Sequence, residues 1–445
     1  MIDSSAYRKG CYLTQTLPGT GGRLRVEPED FLVDEIPLAP PEGVGEHLYV
    51  RVEKRRLSTL DAVRSIARIL EVKESAVGYA GMKDARAVTR QWLSVQAQGA
   101  AMERKLGRLN KGGEKALRVL EVRRGRAKLR RGALAGNRFD IRVRDVLPTA
   151  AGRARAVLEV LAARGVPNAF GDQRFGALGT SAMVGGALAL GEWGRAVDYL
   201  LGASGAASEG GDPGDLITGA VWRFRAGDLE GALAVYPGGW RAERRVLSAL
   251  IGGAAAKKAV HALPRRERML FASAFQAAIF NCCLTRRLAD GTHDRILAGD
   301  VVVSHRSGSV RRAGGPEKDA DALARFEVSP AGPLIGEKTM EARGVPGEME
   351  AAVHASFGLE PGAADRGLGR MGARGGRRPY RANVGAPEAI EEGADLRIRF
   401  DLPPGAYGTE VLRETMKVEP PVEARYDFEK SNRGGSPRQE SGGDR

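Results

Sequence analysis

Hydrophobic and polar residues alternate strictly around Leu48, Val50 and Val52, with Tyr49, Arg51 and Glu53 between them. A period of two is that of a strand with one buried face. Residues 21–54 therefore read as two strands joined by a Gly/Pro-rich loop, with Phe31 set between two acids and an apolar pair. From Ser58 the period lengthens. Leu60, Val63, Ile66, Ala67 and Leu70 fall on one face of a helix capped by Ser58 or Thr59. Ala87 to Val95, rich in β-branched and aromatic residues, returns to a strand. Ala151 to Arg164 is a helix closed by Gly165. Phe271 to Leu288 is a long apolar helix with a basic end, and residues 297–340 hold short strands and turns. Between these lie segments without a period. Residues 96–116 are polar with a turn at Lys111 to Gly113 and read as a surface connection. Gly202 to Asp215 is Gly/Ser/Ala-rich and reads as an exposed loop. The stretch 360–378, dominated by glycine and arginine from Arg366, is expected to be mobile, and 425–445 has the composition of a disordered tail.

Composition narrows the class. A chain of 445 residues has material for two or three domains, and 42% hydrophobic with 28% charged residues is the balance of a globular protein. No apolar stretch approaches the span of a membrane helix and the first residues lack an apolar signal core, so a cytoplasmic protein with no membrane partner is expected. Of the three cysteines, Cys11, Cys282 and Cys283, two are adjacent. That argues against a disulfide framework or a Cys-x-x-Cys zinc site and for small buried hydrophobes. His47, His261, His293, His305 and His354 show no ligand spacing, so no metal site is expected.

Charge adds a partner class. Lysine and arginine number 69 against 55 acids, a net +14, which predicts attraction to a polyanion, with nucleic acid the natural candidate. Charge alone also leaves room for ribosomal and anionic-membrane partners. Arg123, Arg124, Arg126, Lys128, Arg130 and Arg131 crowd one run. Such a run suits a solvated edge strand or a phosphate-tracking surface, and composition does not choose between them.

The chemistry converges on Val77 to Val95. Gly78, Ala80 and Gly81 permit close approach, and Lys83-Asp84 follows at the turn before the strand. Lys83, Arg86 and Arg90 would favour the ionised form of Asp84. An ionised, positioned carboxylate can act as nucleophile or general base, while a solvated turn aspartate is the plain alternative. Downstream, Asn168 and Phe170 lie two apart and face the same way on an extended segment. An amide beside a ring can read a base edge while the ring stacks on its face, although a phenylalanine there also serves as a core plug.

The run Tyr79, Ala80, Gly81, Lys83, Asp84, Ala87, Val88, Thr89, Gln91 and Trp92 resembles the signature of the TruD family of pseudouridine synthases. Further blocks agree in order: Glu29-Asp30-Phe31 with Val33 and Glu35, Gly136-Asn137 with Phe139 and Arg144, the Asn168 to Gly176 stretch, and the closing Phe400 to Glu414. The resemblance covers nearly all of residues 20–415. It implies an α+β fold: a pseudouridine synthase core with a large mixed, mostly antiparallel sheet, plus an inserted α/β TRUD domain. The implied limits are a catalytic domain at 1–194, the insertion at 195–382, the catalytic return at 383–424 and the tail at 425–445. The interval between Gly176 and Ser273 is longer than in the shorter bacterial members, so extra elements are expected there.

The resemblance also implies isomerisation of uridine to pseudouridine, at position 13 in the D arm of tRNA. It places the catalytic residue at Asp84 and the substrate-binding residues at Phe31, Asn168, Phe170, Arg25 and Lys83, with Gln173 and Arg174 in support. Arg25 stands where many members carry lysine, replacing a point ammonium by a planar fork, and Ala169 stands where many carry an aromatic. No cofactor and no protein partner are implied, and a monomer is expected. Two rivals are a non-catalytic RNA-binding protein, such as a tRNA folding chaperone, and an RNA methyltransferase. The second needs a nucleotide loop, and the Gly-x-Gly-x-x-Gly at 367–372 lacks a preceding strand.

Overall fold

The computed structural model describes residues 11–83, 87–96, 100–106, 109, 116–202 and 216–418. Its contacts gather the chain into two compact units. A sheet unit comprises Leu17–Leu158, Gly385–Pro404 and the chain from Thr415, and a helical unit comprises the chain up to Thr16, Glu159–Val384 and Gly405–Glu414. The limits expected at 194/195 and 382/383 mark changes of sequence texture, whereas contacts divide the chain at 158/159 and 384/385.

In the sheet unit, β1 (Phe31–Pro37), β2 (His47–Arg55), β3 (Val77–Tyr79), β4 (Val88–Gln96), β5 (Ala116–Gly125) and β6 (Leu134–Val143) are joined from far along the chain by β13 (Gly385–Glu392) and β14 (Asp395–Leu402). They form one sheet in the order β13-β14-β6-β1-β4-β2-β5, with β3 beside β4. The β1–β4 pair is parallel and the other described pairings are antiparallel, the mixed, mostly antiparallel sheet that was expected. Leu48, Val50 and Val52 are buried and their neighbours are not, as the alternation requires.

Helix α1 (Thr59–Leu70) covers this face. Its cap is Ser58, whose hydroxyl accepts from Asp61 N at 3.2 Å while Asp61 accepts from Ser58 N at 3.0 Å, a capping box. Val63, Ile66, Ala67 and Leu70 enter the core with Ala62, and Leu60 stays half-buried. Residues 96–116 are not only a surface connection. They contain α2 (Ala100–Leu106), where Leu106 buries against the α1 side of the core because it is apolar enough to be drawn there. The Lys111 to Gly113 turn lies outside the described residues. Helix α3 (Ala150–Arg164) ends at Gly165, whose φ of +83° is the left-handed cap that glycine reaches without strain.

After the last turns of α3, the helical unit holds β7 (Val166–Pro167), α4 (Ser181–Leu190), α5 (Trp193–Leu200), α6 (Leu216–Arg225), α7 (Leu229–Val235), α8 (Arg241–Ile251) and α9 (Ala256–His261). Helices α4 to α9 occupy the interval between Gly176 and Ser273. Residues 203–215, most of the expected exposed loop, lie outside the described residues, as does the tail from 419. The central helix is α10 (Arg265–Ala289). Its 25 residues are long and apolar enough to cross a membrane, which corrects the expectation that no stretch approaches that span. Most of it is buried inside its own unit, the position of a core helix. Cys283 is buried within it, while Cys11 and Cys282 are half-buried.

Beyond α10 come β8 (Val301–Ser304), β9 (Val310–Arg312), α11 (Ala320–Ala324), β10 (Val328–Leu334), α12 (Gly344–Ser356), α13 (Asp365–Met371), β11 (Gly376–Pro379) and β12 (Arg381–Ala382), and α14 (Gly408–Met416) closes the described chain. The order β11-β10-β8-β9 makes a small antiparallel sheet, and β12 pairs β7.

The stretch expected to be mobile is instead ordered and packed. Gly367 and Leu368 of α13 are buried, and the Gly367 backbone lies so close to α4 that a Cβ would collide with the Ala189 carbonyl oxygen. Arg377 is buried and gives Glu350 two hydrogen bonds, its Nη2 at 2.9 Å from Oε2. Glycine here serves close packing and arginine serves buried pairing. Gly367→Ala is accordingly expected to destabilise the protein by about 1–3 kcal/mol through overpacking, seen as a lowered thermal midpoint. An unchanged midpoint would mean that α13 does not pack on α4.

Candidate active site

Strand β3 runs into Ala80, Gly81, Met82 and Lys83, the last described residue before Asp84. Asp84 itself, with Ala85 and Arg86, lies outside the described residues. What precedes it is closely held. Lys83 N donates to Thr59 Oγ1 at 2.8 Å, and the Lys83 carbonyl accepts from the buried Lys54 at 3.4 Å. The Gly81 carbonyl accepts from Gln91 Nε2 at 3.1 Å, and Thr59 Oγ1 donates in turn to Gln91 Oε1 at 2.9 Å.

The Lys83 side chain turns into the sheet unit. Its Nζ lies 2.8 Å from Glu35 Oε2 and donates to Asn137 Oδ1 at 2.7 Å, with the two charged side chains 5% and 1% exposed. Gly81 makes room for this pair, since a Cβ there would stand 2.7 Å from Lys83 Nζ and 3.1 Å from Glu35 Oε2. The close approach predicted at the small residues is therefore made by this chain's own ammonium. A desolvated pair holds only where geometry and extra hydrogen bonds offset the burial of charge, and Asn137 supplies one such bond. Of the cations expected around Asp84, Lys83 thus already faces an acid, and Arg90 Nε pairs with Glu53 Oε2 at 2.9 Å.

Phe31 opens β1 and is buried, edge-on to Phe139 with ring centroids 6.3 Å apart, and Phe139 stacks on Phe400 at 5.0 Å. The Arg25 guanidinium lies over the Phe31 ring at 4.2 Å, and Arg25 reaches it from a left-handed backbone, φ +55°. An arginine held there is strained by roughly 1–3 kcal/mol, and such strain persists where surrounding structure imposes it. Beside it, Asp30 is buried and accepts from Arg144, Nη2 to Oδ1 at 2.7 Å and Nε to Oδ2 at 2.9 Å and to Oδ1 at 3.0 Å. Three of the family-like blocks therefore meet in one cluster.

The cationic run lies only partly on a strand. Strand β5 is an edge strand that ends at Gly125, so Arg126, Lys128, Arg130 and Arg131 belong to the connection to β6. Arg124 pairs with Glu103 at 2.8 Å, Arg126 with Glu42 at 2.7 Å, Arg123 with Glu121, and Arg131 lies 5.2 Å from the Tyr79 ring. Exposed pairs of this kind are worth about 0–1 kcal/mol each, little enough for phosphates to displace.

Asn168 and Phe170 lie in the helical unit, and both are buried. Asn168 N donates to Tyr380 O at 2.8 Å, its Nδ2 to Pro379 O at 2.9 Å, and its Oδ1 accepts from Arg378 Nη2 at 2.6 Å. Arg378 Nε also reaches the Asn168 carbonyl at 3.0 Å, and Nη2 the Gly405 carbonyl at 2.9 Å. Phe170 is clamped by Asn281, which accepts from its N at 2.9 Å and donates to its O at 3.0 Å. Its ring meets Phe280 and Tyr407 edge-on and carries the Arg378 guanidinium at 4.2 Å. Burial, helped by the Arg174 charge, lowers the Arg378 pKa to about 10, so it remains a cation at neutral pH. Arg174 donates to Tyr407 Oη at 3.3 Å and lies 5.5 Å from the Phe170 ring, a supporting position.

Within each unit, then, the expected residues gather: Arg25 with Phe31 and Lys83 with Glu35 in one, Asn168 with Phe170 in the other. Arg378, Asn137 and Tyr407 were not anticipated as members of these clusters. Asn137 could have been found from its family-like block, whereas Arg378 was hidden in a stretch that composition marks as mobile.

The family model described as tRNA pseudouridine synthase D (TruD) matches residues 9–415. A tRNA pseudouridine synthase D of Geobacter sulfurreducens is 43% identical over 412 residues, 91% of this chain and 96% of its own length. One of Geobacter metallireducens is 42% identical over 91% and 97%. The backbone is similar to the crystal structure of a Methanosarcina mazei protein described as a tRNA pseudouridine synthase D, with TM-score 0.73 and 30% identity over 92% of this chain and 96% of that one. With sequence and backbone agreeing over nine-tenths of its length, this chain belongs to the tRNA pseudouridine synthase D family.

Proposed function

We propose that this protein isomerises uridine to pseudouridine in tRNA, at position 13 of the D arm, and does so in the cytoplasm, where its substrate resides. The observation that carries this reading is the family match across residues 9–415, which includes the whole Tyr79 to Trp92 block around Asp84.

In the reaction the bond from ribose C1′ to N1 breaks, the uracil turns, and C5 joins the same carbon. C5 loses a proton and N1 gains one. Atoms and electrons balance without a co-reactant, so the protein's task is to extrude the base, orient it and supply one carboxylate. Extrusion costs a few kcal/mol. Phe31 and Phe170 offset it by contact with the unstacked base, Asn168 orients it through its amide, and Asp84 acts as nucleophile or base. Arg25, lying on Phe31, and Lys83, beside Asp84 in sequence, set the local charge. The loosely paired Arg123 to Arg131 cations supply sequence-independent attraction to phosphate.

The test is to incubate the purified chain with an unmodified tRNA transcript and map pseudouridine. Modification at uridine 13 is expected. A transcript that binds and folds but keeps every uridine would leave the RNA-chaperone reading in its place.

A further inference from the structure

We propose that Arg378 is a positioning residue that locks the side-chain amide of Asn168 in one orientation and thereby makes the site read uracil against cytosine. The inference rests on the assignment of Asn168 to the target base.

The lock is chemical. Asn168 Oδ1 faces Arg378 Nη2 at 2.6 Å and Asn168 Nδ2 faces the Pro379 carbonyl at 2.9 Å. Arginine has only donors and a proline carbonyl only accepts. Turning the amide over would set NH2 against a guanidinium and oxygen against oxygen, so a single orientation is allowed. The grip is also mechanical, since Asn168 N is held by Tyr380 O at 2.8 Å and Asn168 O by Arg378 Nε at 3.0 Å. Three consecutive residues, 378 to 380, thus fix both the backbone and the side chain of Asn168.

What remains on the amide is one N–H and one oxygen lone pair, in a fixed order. Uracil offers a donor at N3 and an acceptor at C4. Cytosine offers an acceptor at N3 and a donor at C4, the reverse polarity. An amide free to turn over could satisfy either base, whereas a locked one satisfies one. Arg378 also lies on the Phe170 ring at 4.2 Å, so the same cation sets the amide that reads the edge and the ring assigned to the face.

Two variants separate this role from simple packing. Lysine at 378 is still donor-only and keeps the lock, whereas glutamine carries both a donor and an acceptor and accommodates either orientation of Asn168. The measurement is the ratio of dissociation constants for tRNA with cytidine and with uridine at the target position, in an Asp84→Asn background so that no turnover intervenes. A ratio is unaffected by any inactive fraction. The parent is expected to prefer uridine by about tenfold or more, Arg378→Lys to retain that preference, and Arg378→Gln to bring the ratio close to one. With Asp84 restored, Arg378→Gln should lower the single-turnover rate while uridine-tRNA affinity changes less than about threefold. An Arg378→Gln protein that keeps the parental ratio, or an Arg378→Lys protein that loses it, overturns the proposal. If Asn168→Ala leaves the ratio at the parental value, the assignment of Asn168 to the base fails first, and Arg378 falls with it.

Discussion

Replacing Asp84 by asparagine is expected to abolish pseudouridine formation while tRNA binding survives. The substitution preserves shape and removes the negative charge on which both nucleophilic attack and proton abstraction depend. Loss of a group that forms or breaks a covalent bond typically costs on the order of 10⁴-fold or more in rate. Binding responds differently because it is summed over many phosphate contacts. Removing one acid from a chain of net +14 leaves affinity unchanged or slightly raised. Single-turnover pseudouridine release, measured beside a binding titration at fixed salt, checks both halves. Pseudouridine appearing at the unmodified protein's rate would remove Asp84 from the mechanism. Parallel loss of rate and binding would make it a structural residue.

Glu35→Ala is expected to unfold the sheet unit at markedly lower denaturant. Among the described residues Lys83 Nζ would keep only Asn137 as a partner, in a site where it is 5% exposed. An ion left unpaired in such a place costs about 3–5 kcal/mol, whereas replacing both partners by apolar groups of similar volume is often neutral. A Glu35→Leu, Lys83→Met double variant is therefore expected to recover most of the denaturation midpoint. Its turnover should stay low by roughly 10²-fold, the usual effect of misplacing a reacting group by about an ångström. The apolar pair cannot hold Asn137 or fix the chain that leads to residue 84. Turnover returning together with stability would reduce the pair to a structural role.

The fold was legible wherever a local period carried it. Leu48, Val50 and Val52 declare a half-buried strand, Val63, Ile66 and Leu70 a helix, and Gly165 its end, because pleat, helical turn and left-handed cap are each set within a few residues. The same reasoning failed between 360 and 378. There, glycine and arginine suggested mobility, yet Gly367 is pressed against α4 and Arg377 against Glu350, 27 residues away. Small and charged residues signal loops only when nothing distant claims them. The run from Arg123 to Arg131, left open between an edge strand and a phosphate-tracking surface, begins on the edge strand β5 and leaves it at Gly125, and two of its acid partners, Glu42 and Glu103, come from other parts of the chain.

The candidate site divides along the same line. Sequence alone singled out the residues on which the proposed chemistry rests: a carboxylate in a ten-position signature, an amide two residues from a ring, and a net positive charge suited to a polyanion. Those are matters of residue identity and short spacing, which the chain carries along itself. Tertiary structure decided which groups hold these residues in place: that Lys83 is bound to Glu35 and Asn137, and that Asn168 is turned by an arginine 210 positions away. A buried charge must find its counterpart on whichever distant segment folding brings within three ångströms or so, and no spacing along the chain records which segment that is.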